Sequence, residues 1–122
     1  MVQVKRIYDQ RSPDDGKRFL VERLWPRGLK REELRLDAWL KDVAPSGTLR
    51  VWFGHDPKKW QGFQEKYFLE LDKNPECYGP ILAAAQSDNV TLLYSARDET
   101  HNNAVALKSY LEAKAGKERI KH

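Results

Sequence analysis

The stretch VTLLYSARDETHNNAVALKSYL, Val90 to Leu111, constrains the fold more than any other part of the chain. Its opening, VTLLYS, is an apolar, β-branched and aromatic run. Strands buried on both faces of a parallel sheet read this way. Its end carries Ala104, Leu107 and Leu111 at i, i+3 and i+7, the spacing of an amphipathic helix. A buried strand running straight into a helix is the unit of α/β architecture. Between the two lie nine residues, Ser95 to Asn103, of which only Ala96 is apolar. Open α/β sheets bind ligands in the crevice outside the carboxyl ends of their strands, which is where such a junction lies.

The rest of the chain fits that unit. VQVKRIY (Val2–Tyr8) alternates apolar and polar positions and reads as a first strand. DQRSPDDGKR is a loop of turn formers, and RFLVERL (Arg18–Leu24) reads as a second strand. WPRG ends it, because Trp25 precedes a proline and Gly28 permits a sharp turn. Leu36, Trp39, Leu40 and Val43 fall at helical spacing and predict a helix within Lys30–Val43. Ser46 caps a short helix through Phe53, closed by Gly54. Asp56-Pro57 and Asn74-Pro75 each place a cap before a proline, predicting helices to about Lys73 and about Gln86; Gly79-Pro80 would kink or delay the second. Strands at both ends with helices between them predict a small three-layer α/β domain with a short, mainly parallel sheet. A chain of 122 residues is expected to form one domain over 1–122, with residues 113–122 as a basic, frayed tail.

Composition limits the classes open to it. Hydrophobic residues make up 40%, with four Trp, five Tyr and four Phe, which argues for a packed core rather than disorder. No apolar run approaches the roughly 20 residues of a membrane span. MVQVKRIYDQ lacks the apolar segment of a secretory signal, and the single Cys77 cannot form an internal disulfide, so the expected location is the cytoplasm. The net charge of +4 resides in residues 1–50, with twelve Lys/Arg against eight Asp/Glu; residues 51–122 hold ten of each. That bias permits an anionic partner without requiring one.

The polar junction has the inventory of an anion site. Thr100 is a natural cap for the last helix, whose first N–H groups and dipole favour phosphates and carboxylates. Arg97 adds a bidentate fork, His101 a group that titrates near neutrality, and Asn102 and Asn103 neutral donors. Ser95 could donate or, with a base, attack; a Ser95–His101–Asp98 triad can be written, although its spacing matches no nucleophile elbow. If the second strand is parallel to VTLLYS, Arg23 and Arg27 emerge at the same edge, with Trp25 as a wall or stacking surface. Arg23 within a strand pattern needs a partner, and alternation points Glu22 to the opposite face. The plainer readings are that Thr100, Asn102 and Asn103 cap a helix, Asp98 and Glu99 pair with Arg97 at the surface, and Trp25 is core. His55 of FGHDP is a turn residue or a neighbour of the pocket. No HxH, HExxH or CxxC spacing supports a metal, and no cofactor is implied. Cys77 reads as a small buried hydrophobe. A helix-turn-helix around FGHDP is disfavoured because residues 57–73 carry Glu65, Glu70 and Asp72 beside their lysines and an aromatic stripe.

Three segments together, VERLWPRG, KREELRLDAWLKDVAPSGTLRVWFGHDPKKWQGFQEKY and LLYSARDETHNNAVALKSYL, resemble the YeaO-like branch of the domain of unknown function 488 family. The resemblance runs from Val4 to about Leu111. It implies a small bacterial or archaeal cytoplasmic protein and supports the fold, but implies no particular reaction. It groups Arg23, Trp25, Pro26, Arg27 and Gly28 in one family segment. Pro45, Ser46, His55, Asp56 and Pro57 form a second. Tyr94, Ser95, Ala96, Asp98, His101, Asn102 and Asn103 form a third. Other branches often end the corresponding strand in Cys-Glu and carry a later Cys-His-Arg. Here Tyr94-Ser95-Ala96-Arg97 and His101-Asn102-Asn103 stand instead, so thiol chemistry does not carry over.

The expectation is therefore an enzyme or ligand-binding protein for a small anionic molecule, with Arg23, Arg27 and Arg97 holding the anion. His101 would be the acid/base, and Ser95, Asn102 and Asn103 would orient the ligand. The competing expectation is a nucleic-acid-binding module using the basic first half, which predicts steep salt dependence.

Overall fold

The computed structural model describes residues 1–120. Its strands are β1 (Val2–Arg6), β2 (Lys17–Leu20), β3 (Ala38–Trp39) and β4 (Val90–Tyr94). They form one sheet in the order β1-β4-β2-β3, with every pairing parallel. The α-helices are α1 (Arg31–Leu34), α2 (Gly47–Phe53), α3 (Trp60–Lys73), α4 (Gly79–Ala85) and α5 (Asn103–Ile120). The expected α/β class is what is found. No helix among the described residues is long and apolar enough to cross a membrane.

Alternation along β4 divides the interior. Val90, Leu92 and Tyr94 face the main core, with Phe19 and Val21 beside them and α2 to α5 packed on top. Leu93 faces the other way, into a smaller core with Ile7, Leu20 and Leu34, covered by Trp25, Leu29, Leu36 and Trp39. The stripe on α3 enters the main core through Phe63, Tyr67 and Leu71. Each such side chain gains about 1.5–3 kcal/mol from leaving water. The buried Tyr67 hydroxyl donates to Val43 O at 2.6 Å, so its polar end costs nothing unpaired.

Several local expectations need correction. The second strand stops at Leu20 instead of Leu24, which frees Glu22 and Arg23 from strand alternation. The helix expected within Lys30–Val43 is one turn, ended by Arg35 at φ 50°. Asp37 N then donates to Arg18 O and Leu40 N to Leu20 O, both at 2.8 Å, placing β3 on the sheet edge. The helical spacing misleads because its members serve different cores: Leu36 and Trp39 the smaller one, Leu40 and Val43 the main one. Asn74-Pro75 opens a 3-10 turn, and α4 starts only at Gly79, the delay expected from Gly79-Pro80. Separately from these corrections, α5 runs through Ile120, so it includes the first part of the basic tail, and Lys121 and His122 lie outside the described residues.

Candidate functional site

The chain diverges where it leaves β2 and β4. After β2 it passes to the smaller core, where Trp25 and Leu29 pack; after β4 it enters α5, which packs on the main core. Adjacent parallel strands whose continuations part to opposite faces leave a crevice at their carboxyl ends. A cavity of about 480 Å³ lies there, within the usual size of a small-ligand site. Three walls meet around it: Glu22, Arg23 and Leu24 after β2; Ser95, Ala96 and His101 to Asn103 after β4; and α2 with its flanking turns, which adds Arg50 and His55.

The post-β4 wall is held by its own hydrogen bonds. The Ser95 amide donates to Glu22 Oε1 at 2.5 Å, and its hydroxyl lies 3.0 and 2.8 Å from the two carboxylate oxygens. From the other side Arg6 donates to Ala96 O at 3.0 Å and Ser95 O at 3.3 Å. Asp98 receives the Thr100 amide and hydroxyl and the His101 amide, each at 3.0 Å, and His101 Nδ1 at 2.9 Å. The Thr100 amide leads the donors that hold the Asp98 carboxyl well below its usual range. An ionised carboxylate only accepts, which places the proton of the His101 ring on Nδ1 and leaves Nε2 outside the Asp98 contact. Trp60 meets the same ring edge-on, with centroids 5.3 Å apart.

Asn102, not the expected Thr100, caps α5: its Oδ1 accepts from Val105 N at 3.0 Å. Its Nδ2 donates to Asp98 O at 2.9 Å, and Asn103 Nδ2 donates to Val21 O at 2.7 Å. These amides line the cavity while bracing its walls. Gly54 and His55 turn α2 into α3 with φ of 53° and 57°. A non-glycine residue in the left-handed region is uncommon, and such residues gather at functional sites. Asp56 fulfils its capping role by accepting from Lys58 N at 3.0 Å.

Of the residues singled out in the sequence, the fold brings Arg23, His55, Ser95, His101, Asn102 and Asn103 to one cavity. Asp98 stands behind His101. Trp25 does not wall the cavity; it packs against Trp39 on the far side of the sheet and donates from Nε1 to Leu29 O at 2.7 Å. Arg27 and Arg97 are exposed and outside the lining, so the three-arginine arrangement is not formed. Only the Asp98–His101 half of the triad is joined, since Ser95 Oγ pairs with Glu22. Cys77 is partly buried against the main core, and burial pushes its thiol up.

Sequence reasoning missed Glu22, Arg6 and Arg50. Arg50 had a usable signal: Gly47, Arg50 and Val51 are i, i+3 and i+4 on α2 and share the face that lines the cavity. Among the described residues Arg23 and Arg50 enter no ion pair, whereas Lys5, Lys17 and Arg18 do. No group of three or more His, Cys, Asp or Glu among the described residues is placed to hold a metal ion.

Comparison with known proteins places this geometry in a family. Residues 1–121 match the family described as the inactive DUF488-N3 subclade. The chain belongs to the DUF488 family. It is similar to the uncharacterised protein YeaO of Escherichia coli (strain K12), 39% identical over 112 residues, 92% of this chain and 97% of YeaO. It is also similar to the uncharacterised proteins Mb3100c of Mycobacterium bovis and Rv3073c of Mycobacterium tuberculosis. Each is 46% identical over 70 residues, 57% of this chain and 59% of the relative. No solved structure matches. All three DUF488 segments that carried the resemblance contribute to the cavity: Arg23 from the first, Pro45 and His55 from the second, Ser95 and His101 from the third.

Proposed function

We propose that this DUF488 protein binds a small phosphate- or carboxylate-bearing molecule in the cavity at the carboxyl ends of β2 and β4, without turning it over. The observation that carries the reading is that Arg23 and Arg50 line one cavity and, among the described residues, enter no ion pair. Two guanidinium forks facing a partly enclosed space favour an oxyanion, which they can meet with paired N–H donors. Glu22 opposes that charge only in part, because its carboxylate already accepts from Ser95. Binding without turnover fits the family description and the incomplete triad. A nucleophile needs its base within hydrogen-bond reach, and Ser95 reaches a carboxylate, a weak base for a hydroxyl, rather than His101.

Isothermal titration with inorganic phosphate and with acetate tests the reading, using the wild type, Arg23→Ala and Arg50→Ala. Both arginines are exposed, so the variants should keep the melting temperature of the wild type. Saturable binding weakened about tenfold or more by either change is expected, from the loss of charge-assisted hydrogen bonds of about 1.5–3 kcal/mol. Binding unaffected by both changes would remove the arginines from the site and end the proposal.

A further inference from the structure

The two arginines account for one end of a ligand; beside them and the polar wall after β4, the cavity presents an apolar surface. Phe53 and Phe63 stack with centroids 4.4 Å apart, are 6% and 2% exposed, and still form part of the lining. Ala44 and Pro45, both buried, adjoin them in the lining. At the mouth stand Leu24 and Val51, 65% and 84% exposed, two of the more solvent-exposed large apolar side chains among the described residues. A bare oxyanion would leave this surface facing water. A volume of about 480 Å³ also exceeds what one phosphate or acetate fills.

We infer that the ligand is an amphiphilic anion: an oxyanion, phosphate or carboxylate, carried on a flat apolar body such as an aromatic ring. The body lies on the Phe53–Phe63 floor under Leu24 and Val51, and the oxyanion meets Arg23 and Arg50. Aromatic surfaces accept flat rings in offset or edge-on contact, and transfer of a ring from water onto apolar surface is favourable in proportion to the area covered. His55 and His101 sit at the edge of the same aromatic cluster. His55 lies 6.4 Å from Phe53 and His101 lies 5.3 Å from Trp60, between centroids, so polar substituents on the body have donors and acceptors beside it. The inference rests on the anion-binding reading and adds the class of ligand.

The experiment compares four probes by titration: inorganic phosphate, phenyl phosphate, benzoate and phenol. Wild type is set beside the double variant Leu24→Ala/Val51→Ala, whose exposed positions leave the core intact. Phenyl phosphate should bind at least tenfold tighter than inorganic phosphate. The double variant should shrink that ratio severalfold while leaving inorganic phosphate unchanged. Benzoate binding as tightly as phenyl phosphate would assign the carboxylate form, and weaker benzoate the phosphate form; both support the amphiphile. Equal affinity for phosphate and phenyl phosphate overturns the amphiphile and leaves the anion reading standing. Phenol binding as tightly as phenyl phosphate overturns the anion reading itself. Failure of all four probes overturns both.

Discussion

Glu22 turns one side chain into a clasp for the whole post-β4 wall, since Ser95 gives it both amide and hydroxyl while Arg6 grips the neighbouring carbonyls. Among the described residues the same carboxylate is the one formal negative charge of the cavity lining, so its stability and binding effects should have opposite signs. Glu22→Gln keeps one acceptor oxygen and loses the charge. The expected cost is about 1–2 kcal/mol, the difference between charged and neutral hydrogen bonds, read from chemical denaturation. Phosphate affinity should rise severalfold, because a repulsive charge has left the site. A fall in both would show that Glu22 shapes the cavity more than it charges it. Asp98 supports a pH prediction. Its folded carboxyl stays ionised to lower pH than an unfolded one, held first by the Thr100 amide. The stability it contributes is complete above the ordinary carboxylate range, near pH 4, and is lost as pH falls towards the lower folded value. Asp98→Asn should therefore melt below wild type at pH 7, and the gap should narrow steadily as pH falls below about 4; a gap that stays constant down to about pH 2 would refute the linkage.

At the level of elements, the join between the β1–β2 connection and the start of β4 depends on one glycine. Gly16 has φ 63°, and a Cβ there would lie 2.1 Å from Asn89 O, the carbonyl that accepts from Lys17 N. Gly28 also has positive φ, at 77°, but a Cβ there meets nothing within 4 Å. Gly16→Ala should cost about 3 kcal/mol or more, combining backbone strain with a forced shift of β4's entry, whereas Gly28→Ala should cost only about 1–2 kcal/mol of strain. Urea titrations of the two variants check the ordering. Both glycines stand in turns the sequence marks, yet only the fold shows which turn is crowded. The same limit explains what else was legible. VTLLYS announced β4, and Ser46, Gly54 and Asp56 marked their caps, because these signals are local. β3 was hidden, because its hydrogen bonds go to β2, about 19 residues earlier, and its apolar neighbours divide between two cores. The cavity was half visible for the same reason. The polar run after β4 is contiguous, while Glu22 and Arg50 enter the cavity only once β2 stops short and α2 packs Leu49 and Phe53 into the main core.

For the whole molecule, the positive bias of the first half is partly spent inside the fold. Arg18 is buried against Asp15, Lys5 pairs with the same carboxylate, Lys17 faces Asp37, and Arg6 is bound to backbone carbonyls. Burial alone would push the Asp15 carboxyl up, but the Ser12 amide, Lys5 and Arg18 together hold it down, so these cations neutralise an ionised group. What remains at the cavity is Arg23 and Arg50, two cations rather than a stripe. The salt response should follow that number. A protein meeting six to ten phosphates loses about 10³–10⁵ in affinity between about 50 and 200 mM salt. A small anion held by two arginines should weaken less than about tenfold over the same range, because screening acts only on those contacts. Titrating phenyl phosphate and a single-stranded oligonucleotide at both salt concentrations separates the cases. Mild salt dependence for the small anion, with binding weakened by Arg50→Ala, fits a cavity that holds one molecule. Tight oligonucleotide binding that collapses with salt and survives Arg50→Ala would instead move the function to the exposed cations outside the cavity, Arg27 and Arg97 among them.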